Sequence, residues 1–413
     1  MYKGRLSDLS SYVSEKIPVA ALTDQTYIGV DNMFSNRGGV KPSEYVPEAG
    51  LVTKFEQGDI LLGNIRPYFK KIWLAEFDGG CSPDVLVIRP KHGVSSKFLY
   101  AYLSTDGFFD YDMKGAKGSK MPRGDKDHIM RYEITIPDAQ EKIGSFIINI
   151  NEKITNNDAI CADLEDMAKL LYDYWFVQFD FPNENGKPYK SSGGKMVWNE
   201  ELKREIPDGW EVIRLGDYIT ADRGISYNST TLEGNGVPMM NLASFNVDST
   251  YKASGLKTYS GAYGEDQVLR PYDLVMCNTQ QTAIDPAKDI IGKTLLVPDI
   301  FDGDIVSSHH VTTIHVTGNA FKYYLHAESK TTWFHKYVAG FASGTNILGL
   351  DFNGVLNYKM PIPPKEIMSK FANISHSSEA RKNEVIRENA DLVGLRDFLL
   401  PMLMNGQVKV KGA

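Results

Sequence analysis

The sequence predicts an α+β protein in which two mixed α/β domains are joined by two long helices. The helices are expected to pair antiparallel as a coiled coil, with the two halves related by a pseudo-twofold internal repeat. Three observations carry this prediction. A heptad seam runs from Gln140 to Gln178, a weaker one runs from Glu366 to Met404, and matched motifs recur in the same order in both halves. The implied segments are a first domain at 1–138, a first helix at 139–178, a connector at 179–210, a second domain at 211–363 and a second helix at 364–407.

In the first domain, the runs beginning Asp59-Ile-Leu-Leu-Gly, Lys71-Ile-Trp-Leu-Ala and Asp84-Val-Leu-Val-Ile-Arg have strand composition and are bounded by Gly and Pro. Ser96 to Ser104 reads as a short Ser-capped helix. Residues 115–126 (GAKGSKMPRGDK) read as a loop, and Tyr132 to Ile136 as a strand ending at Pro137.

The first long helix follows. Its seam is Ile143, Ile147, Ile150, Ile154, Asn157, Cys161, Leu164, Ala168, Leu171 and Trp175, in alternating steps of four and three. At about 1.5 Å per residue it would span roughly 55–60 Å. Such a seam is unstable alone in water and calls for a partner helix. Asn157 on the seam would fix register or antiparallel pairing, or mark a locally exposed stretch. Trp175, Phe176 and Phe179 continue the apolar face and read as packing residues.

The connector is rich in Asn, Gly, Pro, Ser and Lys and reads as ordered but irregular. The second domain repeats the first: Asp273-Leu-Val-Met-Cys-Asn, Lys293-Thr-Leu-Leu-Val and the run from His310 to Val316 read as strands, and Asn319 to Lys336 as one helix. The second long helix carries Ile367, Phe371, Ile374, Val385, Leu392, Leu395, Leu399 and Met402, interrupted by Ser378, Arg381 and Glu388. The repeat is legible in Leu6-Ser-Asp-Leu against Leu215-Gly-Asp-Tyr and in Asp59 to Asn64 against Asp273 to Asn278. Gly118-Ser119 and Pro137 match Gly344-Thr345 and Pro363 with no gap between them. Two similar modules held by a rigid strut suit a ligand that itself repeats, such as duplex DNA read at half-sites a helical turn (about 34–36 Å) or multiples apart.

These residues resemble the specificity subunit of a Type I restriction-modification system over essentially the whole chain. The most specific stretch is Met167-Ala-Lys-Leu-Leu-Tyr-Asp-Tyr-Trp-Phe-Val-Gln-Phe-Asp-Phe-Pro-Asn, followed by Gly186-Lys-Pro-Tyr-Lys, Ile206-Pro-Asp-Gly-Trp-Glu-Val and Leu215-Gly-Asp. The first domain departs from the pattern in lacking the Ile-Pro-x-Gly-Trp lead-in. The resemblance implies a subunit that selects the DNA sequence and carries no chemistry and no cofactor. It implies double-stranded DNA as ligand, with each domain reading half of a split target and the helices setting the gap. The implied partners are two adenine-N6 methyltransferase subunits using S-adenosylmethionine and, where one is present, a motor-nuclease subunit using ATP and magnesium. The helices would form much of the methyltransferase docking surface.

Candidate DNA contacts were sought after the matched strands. In the first half they are Asn64, Arg66, Tyr68, Lys70 and Lys71, with the basic loop Lys114, Lys117, Lys120, Arg123 and Lys126. In the second half they are Asn278, Gln280, Gln281 and Thr282. Arg suits guanine O6/N7, and Asn or Gln suits adenine N6/N7. Each set reads equally as ordinary polar loop residues, and the second-half counterpart of the basic loop, Ser343-Gly-Thr-Asn-Ile-Leu, is not basic.

The net charge of −7 does not advertise nucleic-acid binding, though a global balance can hide a local basic face. Three scattered cysteines suit a reducing cytoplasm. No apolar run reaches bilayer-crossing length, and the N-terminus lacks a signal-peptide pattern. Catalytic motifs are absent. There is no Asn/Asp-Pro-Pro-Tyr/Phe, Gly292-Lys-Thr has Ala287 where a phosphate loop needs Gly, and Pro83-Asp84 lacks a downstream acidic-x-Lys. His309, His310 and His315 read as solvated or core residues rather than metal ligands. The alternatives to a specificity subunit are a structural adaptor with paired protein-binding modules and a stand-alone DNA-modifying enzyme.

Overall fold

The computed structural model describes residues 2–232, 234–281, 289–404 and 407–408. The chain forms two compact units, one of Met1–Asp158 with Asn389–Ala413 and the other of Ala159–Glu388. The division cuts through both long helices, so each unit takes a piece of each helix and does not stop at the sequence segments.

In the first unit, Tyr2–Arg5 pairs antiparallel with Glu133–Ile136. A four-stranded sheet follows in the order Ser10–Tyr12, Val85–Pro90, Ile60–Gly63, Ile72–Leu74. In the second unit, Glu211–Arg214 pairs with Lys359–Ile362. Its sheet runs Ile219–Arg223, Val311–Val316, Leu274–Cys277, Thr294–Leu296, the same order by chain position. The match extends to single bonds: the Leu6 amide donates to the Tyr132 carbonyl and the Leu215 amide to the Tyr358 carbonyl, both at 2.8 Å. Each unit has a further four-stranded sheet, and here they differ. In the first unit the extra edge strand, Lys16–Pro18, lies on Leu51–Phe55; in the second, Lys257–Tyr259 lies on Val237–Met240.

The long helices are Gln140–Tyr172, widening into a π turn over Asp173–Val177, and Lys365–Met404. Within the first unit, Asn157 Nδ2 donates to Asn389 Oδ1 at 2.8 Å and Arg396 Nη1 to Asn151 Oδ1 at 3.0 Å, so the two pieces run antiparallel. Within the second unit, Lys382 reaches Glu165, and Tyr172 packs on Phe371, again antiparallel. Ile143, Ile147, Leu400 and Leu403 enter the first core, and Tyr172, Trp175, Phe176 and Phe371 enter the second. Gly144 lets the helix lie against the start of Ser96–Leu103, because a Cβ there would collide with the Phe98 amide nitrogen.

On the first helix none of the seam residues is fully exposed, Ile154, Leu164 and Leu171 being partly buried. The second seam needs correction. Ile374 and Leu395 are exposed (46% and 44%), whereas Lys382 and Asn383 are buried beside Val385; Ile367, Leu392 and Leu399 are partly buried. Lys382 can turn inward because carboxylates wait for it, a pairing that hydrophobic periodicity cannot register.

Three local readings also change. Asn319–Lys336 is two helices, Asn319–Ser329 and Thr332–Ala339, because the Thr331 hydroxyl accepts the Phe334 amide (3.3 Å) and starts a new helix. An unforeseen helix, Asp106–Gly115, starts where the Thr105 hydroxyl accepts the Phe108 amide. The connector contains a hairpin, Met196–Asn199 with Arg204–Pro207, and sends Phe179, Phe181, Ile206 and Trp210 into the core.

Candidate nucleic-acid interface

In the first unit, folding merges the two candidate clusters, which are far apart in sequence. The buried strand Ile60–Gly63 delivers the loop 64–71 to the sheet edge, and a short hairpin closed by Lys117 and Arg123 lies on it. Lys117 and Arg123 exchange both backbone hydrogen bonds at 2.9 Å. Ile65 bridges Arg123, the Arg66 amide donates to the Pro122 carbonyl (2.7 Å), and the Gly124 amide donates to the Asn64 carbonyl (3.2 Å). A third loop joins them: the Asn36 and Arg37 amides donate to the Phe69 and Lys70 carbonyls at 2.8 and 3.0 Å.

Asn36, Arg37, Arg66 and Lys70 all hold left-handed backbones, with φ between 52° and 65°. They are half of the eight such non-glycine residues among the described ones. Each costs on the order of 1 kcal/mol or more, and the bonds just described hold them in place. Strain concentrated in one loop cluster is characteristic of ligand-contacting sites. Composition carries no sign of it, and Arg37 escaped the sequence reading altogether.

The side chains divide by role. Arg37 and Lys70 both pair with Asp106, whose carboxyl is held down to about 2 by Lys70 and then Arg37. Lys71 turns inward and donates to the Val30 carbonyl (2.6 Å), burial pulling its pKa down; this withdraws it as a free cation. Lys117 pairs with Asp125 (2.5 Å) and Arg123 with Asp84 (3.0 Å), both on the surface. Lys114 is not in the loop but in the last turn of Asp106–Gly115; Lys126 begins the helix Lys126–Met130 and lies 5.9 Å over the Tyr12 ring. Lys114 and Lys120 are exposed and make no ion pair among the described residues. Tyr68 is exposed with its ring 4.7 Å from that of Phe69, so aromatic and cationic groups share the surface. Asn64 is partly buried: a Cβ on Gly124 would lie 2.8 Å from Asn64 Oδ1 and 2.6 Å from Asp112 Oδ1. Burial pushes the Asp112 carboxyl up to about 6, with the nearby His128 acting the other way.

The second unit builds the same place with other side chains. Thr279–Gln281 pairs with Ile347–Leu350, which pairs with Ala342–Ser343. Thr279 opposite Gly349 and Ser343 opposite Gly349 are the counterparts of Ile65 and Lys117 opposite Arg123. The Leu350 amide donates to the Asn278 carbonyl (2.9 Å), as Gly124 does to Asn64. The ladder is longer here because the first unit has Pro67 and Pro122 at these positions, and neither carries an amide proton.

Two second-half candidates are corrected. Asn278 is buried and its amide donates to the His309 carbonyl (3.2 Å) and Thr312 Oγ1 (2.8 Å). Gln280 is buried and accepts from the Ile290 and Ile291 amides at 2.7 and 2.9 Å. Both side chains are committed to the fold and face no base edge. The Gln281 side chain, Thr282 and Ala287 lie outside the described residues.

Half-exposed at this edge instead are Thr279, Tyr227, Lys257, His309 and His310. His310 Nδ1 is 2.7 Å from Thr279 Oγ1, and the two His rings are 3.9 Å apart. Lys257 Nζ donates to Tyr227 OH (2.7 Å) and lies 4.5 Å over its ring. Burial, then His309 and Lys257, lowers the His310 pKa, so the imidazole is neutral at pH 7. His315 lies apart, 3.0 Å from Asp222. The signal that could have found this group was the repeat itself: the Asn278 amide donates to the His310 carbonyl as the Asn64 amide does to Asp84. Among the described residues no three His, Cys, Asp or Glu side chains are grouped to hold a metal ion, and no helix is long and apolar enough to cross a membrane.

No protein-family model matches the chain. It is similar to the Type I restriction enzyme MjaIX specificity subunit of Methanocaldococcus jannaschii, 23% identical over 397 residues, covering 94% of this chain and 87% of the relative. It is similar to the Type I restriction enzyme HindI specificity subunit of Haemophilus influenzae, 23% identical over 471 aligned positions and covering 98% of both. Its fold is similar to the crystal structure of a Type I restriction-modification S subunit from M. genitalium, with a TM-score of 0.59, 14% identity, and coverage of 98% and 96% of the two chains.

Proposed function

We infer that this chain, a full-length relative of Type I restriction enzyme specificity subunits, selects the DNA sequence on which a Type I restriction-modification complex acts. The observation that supports this most directly is the repeated edge. Equivalent loops on equivalent sheets carry Arg66, Lys117, Lys120 and Arg123 in one unit and Gln280, Ser343, Asn346 and Gly349 in the other. One scaffold with two chemistries suits two different half-sites. We assign the first half-site to the domain within 1–138 and the second to that within 211–363. The two long helices act as an antiparallel coiled coil about a pseudo-twofold axis, and their length sets the unspecified gap. Two adenine-N6 methyltransferase subunits dock on the chain, and a motor-nuclease subunit joins where one exists. The chain itself performs no chemistry.

Co-expression with a methyltransferase subunit, followed by genome-wide sequencing of methylated adenines, tests this reading. The expected result is one motif with two short defined halves around a fixed gap. A stable complex that methylates no defined motif, or methylation by the isolated chain, would overturn it.

The charge asymmetry makes a second prediction. Surface ion pairs such as Lys117–Asp125 and Arg123–Asp84 are worth little, so these cations can exchange their carboxylates for phosphates. Replacing Lys117, Lys120 and Arg123 together by Ala is expected to flatten the slope of log affinity against log salt by about 2–3, near 0.9 per phosphate released. Ser343→Ala with Asn346→Ala is expected to leave the slope unchanged. Equal slopes for both variants in a filter-binding series would show that the hairpin touches no backbone.

A further inference from the structure

What the two edges share is not charge. It is an exposed large apolar residue at the same point of the same hairpin: Met121, 51% exposed, and Ile347, 58% exposed. Both residues hold one position in the gapless register that aligns Gly118 with Gly344. An exposed methionine or isoleucine alone needs no explanation. The same exposure at equivalent positions, where neighbouring charges have all diverged, does need one.

The hairpins are built to present these side chains. Gly118 and Gly344 both hold positive φ, +98° and +142°, a region side chains disfavour. Their missing Cβ atoms let the chain fold back on the presented residue. A Cβ on Gly118 would lie 3.3 Å from the Met121 carbonyl oxygen, and one on Gly344 would collide with the Ile347 carbonyl oxygen. Two backbone hydrogen bonds close the first hairpin between Lys117 and Arg123, and Ser343 pairs with Gly349 in the second. Each hairpin is anchored on the strand end, at Ile65 in one unit and at Thr279–Gln281 in the other. A short, doubly anchored turn loses little freedom on binding and can drive a side chain into a resisting ligand.

We propose that Met121 and Ile347 are wedges, each pressing its apolar side chain between adjacent base pairs of its own half-site and unstacking that step. The proposal rests on the reading of this chain as a DNA-selecting subunit. Apolar wedges of Met, Ile, Leu or Phe are a recurrent way to kink a duplex, at a cost of a few kcal/mol per unstacked step that depends on the step. Pyrimidine–purine steps yield most easily, so a wedge adds discrimination without a hydrogen bond to any base. That accounts for a second edge whose Asn278 and Gln280 are turned inward. In the first unit, Lys117, Lys120 and Arg123 flank Met121 and supply the attraction that brings a phosphate backbone up to it.

The test uses the full chain with its methyltransferase subunits and duplexes bearing the motif found by methylation sequencing. 2-Aminopurine replaces single bases along each half. Wild type is expected to raise fluorescence several-fold at one step in each half, besides any signal from the target adenine. Met121→Ala should abolish the rise in the first half only, and Ile347→Ala in the second half only, with affinity falling about tenfold each. Met121→Leu, which keeps the apolar bulk, should retain the signal. If both Ala variants bind as wild type does and leave the fluorescence pattern unchanged, the wedge is wrong while DNA selection stands. If wild type shows no preference for the motif duplex, the underlying reading fails and the wedge with it.

Discussion

Exchanging residues 211–363 for the corresponding segment of another specificity subunit is expected to change one half of the methylated motif and leave the other half and the gap unaltered. The graft is geometrically favourable because the segment begins and ends side by side. Glu211 pairs with Ile362 and Arg214 with Lys359, and the Leu215 amide is tied to the Tyr358 carbonyl. A segment whose ends meet in an antiparallel pair can be replaced with little strain on its flanks. Its two four-stranded sheets and the three-stranded edge, from Ile219 to Leu350, all lie between those ends. The donor must still offer an apolar face to Tyr172, Trp175, Phe176 and Phe371, which share a core with Leu274, Met276, Phe321 and Tyr324. Sequencing methylated adenines in cells carrying the hybrid reads the outcome. A hybrid that changes both halves, or neither, would end the assignment of one half-site to each domain.

The largest stability effect is expected at Glu165. Its carboxylate accepts from Lys330 (2.7 Å) and from Lys382, which also donates to Glu379 (2.7 Å). Side-chain exposure is 20% for Glu165 and 10% for Lys382, so this is a desolvated network and not a surface pair. Burial opposes the charge on both groups, and pairing overcomes it: Glu165 stays below the usual carboxylate range and Lys382 above the usual lysine one. Glu165→Ala leaves a buried ammonium with one partner fewer and is expected to cost about 3 kcal/mol, the lower end for breaking a buried pair because Glu379 remains. Urea titration at pH 7 checks it. The sign of the pH dependence follows. A depressed folded pKa contributes stability that is present above the unfolded value and is lost as pH falls through the folded one. The gap between wild type and variant should therefore hold at neutral pH and close on acidification below about pH 4. A gap that persists in acid would mean that packing, not charge, sets the cost. Replacing Glu165 and Lys382 together by Leu and Met should cost less than Glu165→Ala alone, since an uncharged pair leaves nothing unpaired.

Sequence alone determined whatever repeats or has a period. The heptad seam marked the protected face of Gln140–Tyr172, because apolar residues at that spacing have no other face to bury. Matched motifs marked two units with one strand order, because Asp59 to Gly63 and Asp273 to Cys277 must each start a buried central strand. Tertiary structure decided where polar side chains go. Asn278 and Gln280 carry the amides expected of base readers, yet nearby backbone and hydroxyl groups claim them, and only folding brings His309, Thr312 and Ile290 within reach. Lys382 looked like an interruption beside the seam and became part of the buried face, because Glu165 arrives from the other long helix. Arg37, Arg66 and Lys70 took strained backbones that no composition announces, since the strain is sustained by hydrogen bonds between loops distant in the chain. Apolar burial depends mainly on local pattern and can be read along a sequence. A buried or strained polar group depends on its partner, and the partner's position is a property of the fold.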